Sequence, residues 1–118
     1  MPLGASIVWV TFRLLAATVS VPIAEELAFR GFLLRRLVSE QFERVSRRSF
    51  GWAPVLISSI AFGLMHGNRW AAGTLAGVAY ALADRKQGRI GDAVAAHALT
   101  NLLLAATMLQ SGTWRTSW

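Results

Sequence analysis

The stretch Val21-Pro22-Ile23-Ala24-Glu25-Glu26-Leu27-Ala28-Phe29-Arg30 decides how this chain is read. It places two adjacent carboxylates and a guanidinium at the end of the run Met1 to Ala24, whose single charge is Arg13. An ionisable side chain at the centre of a membrane helix costs roughly 3 kcal/mol or more, so it marks function before packing. A solvated helix end would explain the pair only if the helix turned polar there. Instead Phe29, Phe32, Leu33 and Leu34 carry the apolar face past it.

Composition supports a membrane reading. The 118 residues suit one domain, spanning 1–118. They are 54% hydrophobic and only 15% charged, against roughly 25% charged in a typical soluble domain. Twelve Lys and Arg against six Asp and Glu give a net charge of +6. Such an excess suits nucleic acid or the anionic cytoplasmic leaflet. The apolar content and the placement of the arginines favour membrane lipid, with no nucleic acid partner. Cysteine is absent, which removes disulfides, thiol nucleophiles and thiolate metal sites. No signal-peptide pattern is visible at Met1-Pro2-Leu3.

Four segments are apolar enough to enter a bilayer, so the expected fold is all-α: a polytopic membrane bundle of about four apolar helices. The first runs from Leu3 through the acids to about Val38, with a bend expected at Pro22. The others are Gly51 to His66, Trp70 to Ala83 and Ile90 to Gln110. The second and third are short against the ~20 residues of a straight span. Arg35, Arg36, Arg44, Arg47 and Arg48 follow segment one, and Arg85, Lys86 and Arg89 follow segment three. The opposite side carries Arg69 and Arg115. This asymmetry predicts a multi-pass protein of the cell inner (cytoplasmic) membrane, with loops 35–50 and 84–89 cytoplasmic and both termini outside. Trp9, Trp52, Trp70 and Trp114 read as interfacial anchors. Gly73 and Gly77, four apart, predict close helix packing.

Counting ~1.5 Å per residue from the cytoplasmic edge puts Glu25 at ~15 Å, His66 at ~22 Å, His97 at ~10 Å and Asn101 at ~16 Å. All lie within a ~30 Å hydrocarbon slab. Glu26 and Arg30, Phe62 and His66, and His97 and Asn101 are each i,i+4 pairs, which share a helix face. Glu25 is rotated by about 100° from Glu26, so the two acids are expected to serve different partners. Glu26 then pairs with Arg30, and Glu25, unpaired and partly desolvated, is the candidate general base. A neutral His97 and the Asn101 amide, one turn apart, can both donate to a developing oxyanion.

Glu25-Glu26-Leu27-Ala28-Phe29-Arg30 resembles the EExxxR motif of the CAAX protease and bacteriocin-processing family, the type II CAAX prenyl endopeptidases. Phe62-Gly63-Leu64-Met65-His66 resembles its FxxxH motif, and His97-Ala98-Leu99-Thr100-Asn101 its HxxxN motif. The order matches, and the resemblance covers Val21 to Leu104. It implies an intramembrane glutamic endopeptidase acting on membrane-anchored or lipid-linked peptides. Glu25 would activate water, aided by His66, with His97 and Asn101 as the oxyanion hole. Glu26, Arg30 and Phe62 would be structural support, and no cofactor is required.

Larger family members carry further helices before the acid motif, so this chain reads as a minimal core or a fragment of a longer one. A homo-oligomer, or added helices, would thicken its enclosure. The tail Ser111 to Trp118 resembles the exosortase-associated bacterial branch. Three alternatives stand beside this reading. Glu25, His66 and His97 could supply a carboxylate and two imidazoles to zinc, although no HExxH is present. A non-catalytic immunity or scaffold protein could keep the fold. A transporter or proton relay would also bury Glu and His, but would need titratable groups leading to both faces.

Overall fold

The computed structural model describes residues 1–115, so Thr116, Ser117 and Trp118 of the tail that resembles the exosortase-associated branch lie outside the described residues. Every regular element among the described residues is helical. Helix α1 runs unbroken over Leu3–Val38. Helices α2 (Trp52–Leu64), α3 (Trp70–Gln87) and α4 (Ile90–Ser111) follow. The fold is therefore the expected all-α helical bundle. Thirty-six helical residues span ~54 Å. That matches the longest dimension of the molecule, 52 Å.

Two of the four helices, α1 and α4, are long and apolar enough to cross a membrane. The shorter α2 is apolar too. Burial is reversed relative to a water-soluble domain. Ile7, Phe12, Leu15, Val19 and Leu27 of α1 face outward, as do Leu99, Leu102 and Leu103 of α4. Glu26, Arg30, Ser58, Ser59, Asp84 and His97 are buried. An apolar exterior this extensive requires an apolar surrounding or a partner.

Helix α1 contains two widened turns, at Ala16–Ser20 and Leu27–Leu33, where backbone bonds step back five residues instead of four. Single π-turns of this kind are frequent at functional sites. They flank the two acids. Pro22 follows the first one and is accommodated without ending the helix.

Helices α2 and α3 form the tightest pair. Gly63, Gly73 and Gly77 are all buried between them. A Cβ added at Gly73 would lie 3.0 Å from Gly63 Cα, and one at Gly77 3.2 Å from Ser59 Cα. Small residues four apart let the backbones approach this closely. Helix α3 ends at Gly88, whose φ of +67° is the left-handed conformation that glycine adopts without a Cβ penalty.

The arginine-rich loop after α1 is tied down. Arg47 bonds both oxygens of the buried Asp84 carboxylate at 3.2 Å. Arg48 donates to the Gln87 carbonyl at 3.0 Å, and Arg35 to the Glu43 carbonyl at 2.7 Å. Two of the arginines that set the charge asymmetry, Arg47 and Arg48, thus also hold the loop against α3, and Arg35 ties it to α1.

The α2–α3 contact yields a stability prediction. A Cβ at Gly63 would come within 2.5 Å of the Trp70 carbonyl oxygen, and that backbone atom cannot swing aside. Gly63→Ala should lose about 1–3 kcal/mol by overpacking, read as a lower unfolding midpoint in detergent. Gly4→Ala meets nothing within 4 Å and should hold or gain stability through helix propensity.

Candidate active site

The site is built on α1, α2, α3 and α4 together. Glu26 and Arg30 are fully buried one turn apart, with Arg30 Nη1 3.2 Å from Glu26 Oε1. The same oxygen takes a second partner, His97 Nδ1 of α4, at 2.8 Å. Arg30 Nη2 also donates to the Gly77 carbonyl of α3 at 2.6 Å. The absent side chain at Gly77 makes room, since a Cβ there would lie 3.1 Å from that nitrogen. One carboxylate and one guanidinium therefore join three helices.

Glu25 meets the other edge of the same imidazole. Its Oε2 lies 3.7 Å from His97 Nε2. Adjacent acids were expected to serve different partners, and that expectation is corrected here. The ring stands edge-on between them, so one carboxylate reaches each nitrogen. Glu25 Oε2 is buried and has no hydrogen-bond partner among the described residues.

The tautomer follows from the partners. A carboxylate only accepts, so His97 carries a proton on Nδ1. A neutral ring then has a lone pair on Nε2 and no second N–H. The sequence reading that neutral His97 donates to an oxyanion is also corrected. With Nδ1 committed to Glu26, donation from Nε2 requires the imidazolium.

Aromatic rings pack around this core. Tyr80 of α3 stacks on His97 with centroids 4.7 Å apart and planes 15° apart. The Phe62 ring sits edge-on to His97 at 5.6 Å and lies 4.6 Å from the Arg30 guanidinium. Phe62 also touches the His66 ring at 4.7 Å. Tyr80 was not singled out from the sequence. It is the only tyrosine in the chain, three residues after Gly77 on the same helix, and that combination was the available signal.

His66 and Asn101 occupy a second, adjacent level. His66 stands just past the end of α2, and its Nδ1 donates to the Phe62 carbonyl at 2.9 Å. That leaves Nε2 as an acceptor in the neutral ring. Asn101 Nδ2 donates to the Ala17 carbonyl of α1 at 2.7 Å. Both residues line a cavity of about 430 Å³ between α1 and α4. Glu25 and His97 are not part of that lining.

The Ala17 contact has a backbone cause. In the first widened turn the Val21 N–H bonds the Ala16 carbonyl, five residues back. The next N–H in that register would serve Ala17, but residue 22 is proline and has none. Asn101 supplies the missing donor. In an apolar environment an unsatisfied carbonyl costs several kcal/mol, so this bond locks α4 to α1.

The zinc alternative requires Glu25, His66 and His97 to converge. Among the described residues no three His, Asp or Glu side chains are arranged to hold a metal ion. Glu25, His66 and His97 do not come together as a zinc ligand set.

A family model described as type II CAAX prenyl endopeptidase Rce1-like matches residues 7–103. No curated protein and no solved structure matches the chain.

Two outcomes follow from this geometry. Glu26→Gln removes the charge shared by Arg30 and His97, and breaking such a buried pair costs about 3–5 kcal/mol. A clear drop in melting temperature is expected, and an unchanged one would contradict the shared carboxylate. Asn101→Leu should cost about 1–3 kcal/mol by orphaning the Ala17 carbonyl. In a Pro22→Ala background, where the residue 22 N–H is restored, the same change should cost markedly less. Equal costs in the two backgrounds of this double-mutant cycle would refute the account.

Proposed function

The chain belongs to the type II CAAX prenyl endopeptidase Rce1-like family, a family of proteases, and from that premise we propose that it is a membrane-embedded glutamic endopeptidase. Its substrates are membrane-anchored or lipid-linked peptides. The observation that carries this is the Glu25–His97–Glu26 array. A partly buried carboxylate with an uncommitted oxygen faces an imidazole whose orientation and tautomer a second carboxylate sets.

In this reading Glu25 is the general base. It takes a proton from a water beside its Oε2, and the hydroxide adds to the scissile carbonyl carbon. Charge develops on the carbonyl oxygen, which needs donors already in place. The His97 imidazolium supplies one through Nε2–H. Asn101 retains a second N–H beyond the one given to Ala17. Glu25 then returns its proton to the leaving amine as the C–N bond breaks. His66 Nε2 is an acceptor lining the cavity beside Asn101 and helps to orient the water.

The proposed orientation puts loops 35–50 and 84–89 in the cytoplasm and both termini outside, in the cell inner membrane. Eight basic residues on one side against two on the other support it. Four helices enclose the cluster thinly, and a second copy or further helices would shield it from lipid.

The test is cleavage of a quenched-fluorescence membrane peptide by purified protein in detergent. Glu25→Gln should lower the rate by ~10²–10⁴-fold, as for loss of a general base, with the fold intact. Full cleavage by Glu25→Gln would refute the glutamate role. Loss of activity on chelation, restored by zinc, would refute the metal-independent chemistry. An inactive wild type against a broad peptide library would favour a non-catalytic scaffold of the same fold.

A further inference from the structure

Tyr80 of α3 has no part in hydrolysis as set out above, yet it is only 4% exposed and lies flat on the His97 imidazole, with centroids 4.7 Å apart and planes 15° apart. Its own place is fixed by two neighbours. The Phe62 ring of α2 meets it nearly at right angles with centroids 6.1 Å apart, and the Arg30 guanidinium lies 5.6 Å from its centroid. Arg30 is in turn bonded to the Gly77 carbonyl, one turn before Tyr80 on the same helix.

We infer that Tyr80 is a positioning residue: its ring fixes the plane of the His97 imidazole and so keeps Nε2 facing Glu25. Its consequence for turnover rests on the peptidase reading above. The imidazole turns about a bond between sp³ and sp² carbons, a torsion that is broad and roughly two-fold. Two contacts share the task of orienting it. The hydrogen bond from Nδ1 to Glu26, at 2.8 Å, selects between the two flipped positions of the ring. A bond at one atom leaves the ring free to tilt. The stacked phenol face is indifferent to the flip but resists the tilt, because an offset-stacked pair loses its contact when one plane turns. Phe62 stands at 83° to the imidazole and offers it no parallel face.

Plain packing is the competing role for a buried aromatic, and substitution separates the two. Tyr80→Phe keeps the flat face, whereas Tyr80→Leu keeps an apolar side chain and removes that face. Phe50 serves as the control. It is buried in a separate cluster with Leu34, Val55 and Ala81, so Phe50→Leu costs packing without touching His97. Misplacing reacting groups by ~1 Å can cost ~10²-fold in rate, so a tilting imidazole is expected to show in turnover and not in substrate binding.

The test is solid-state NMR of histidine-labelled protein in lipid, which reads the His97 ring directly through its C–H dipolar couplings. Wild type, Tyr80→Phe and Phe50→Leu should show a rigid ring. Tyr80→Leu should show couplings reduced by ring motion, with the proton still on Nδ1 because Glu26 is unchanged. In the peptide-cleavage assay Tyr80→Leu should lower kcat ~10-fold or more at unchanged KM, and Tyr80→Phe should restore it. Couplings already averaged in the wild type would overturn the inference with no variant needed. A ring that stays rigid in Tyr80→Leu, an equal loss in Phe50→Leu, or full kcat in Tyr80→Leu would overturn it as well. A ring held rigid only by an aromatic residue 80, in a chain that cuts no peptide, would keep the positioning role and defeat the peptidase reading instead.

Discussion

One oxygen, Glu26 Oε1, receives both Arg30 and His97 inside an otherwise apolar bundle. The Arg30 charge could not be buried alone, because an uncompensated charge in low dielectric costs far more than it returns. The shared carboxylate compensates it and also accepts the His97 N–H. It also sets what the rest of the site can do. By accepting from His97 Nδ1 it leaves Nε2 facing Glu25. Arg30 in turn reaches the Gly77 backbone, so α3 is bound to the same point. Phe62 and Tyr80 close the aromatic walls around it. Chemistry and helix packing thus depend on the same few atoms.

The bundle is organised from the inside outward. Glu26, Arg30 and His97 are buried against one another, while leucine, isoleucine and phenylalanine side chains cover the exterior. In such a setting backbone irregularities need internal partners, because no water is at hand to satisfy them. The widened turn before Pro22 is an instance. It exposes a carbonyl, and an amide from α4 closes it. At the arginine-rich end the logic is similar. Asp84 is buried because Arg47 spans both of its oxygens.

The sequence carried much of this architecture in its spacings. Continuous apolar runs marked the four helices, and i,i+4 pairs marked which polar residues share a face. The length of α1 through the acids to Val38 and the glycine contact of α3 could be read directly, because each depends on local chemistry. The meeting of Glu25 and Glu26 at one imidazole could not. Helical rotation separates adjacent side chains on their own helix but does not say where a ring from another helix will stand. The tautomer of His97 was hidden for the same reason, since its partner is distant in the chain. Tyr80 looked like one aromatic among several until His97 stacked on it. The Asn101 amide looked like a free donor until the missing Pro22 N–H and the five-residue register combined to give it a backbone partner.

The central claim is that Glu26 holds His97 by Nδ1 and so presents Nε2 to Glu25. The most direct measurement is the ¹⁵N spectrum of histidine-labelled protein in lipid, with His97 assigned by comparison with its alanine variant. The account predicts a proton on Nδ1, in a strong hydrogen bond, in both the neutral and the charged ring. A neutral His97 that carries its proton on Nε2 would contradict it.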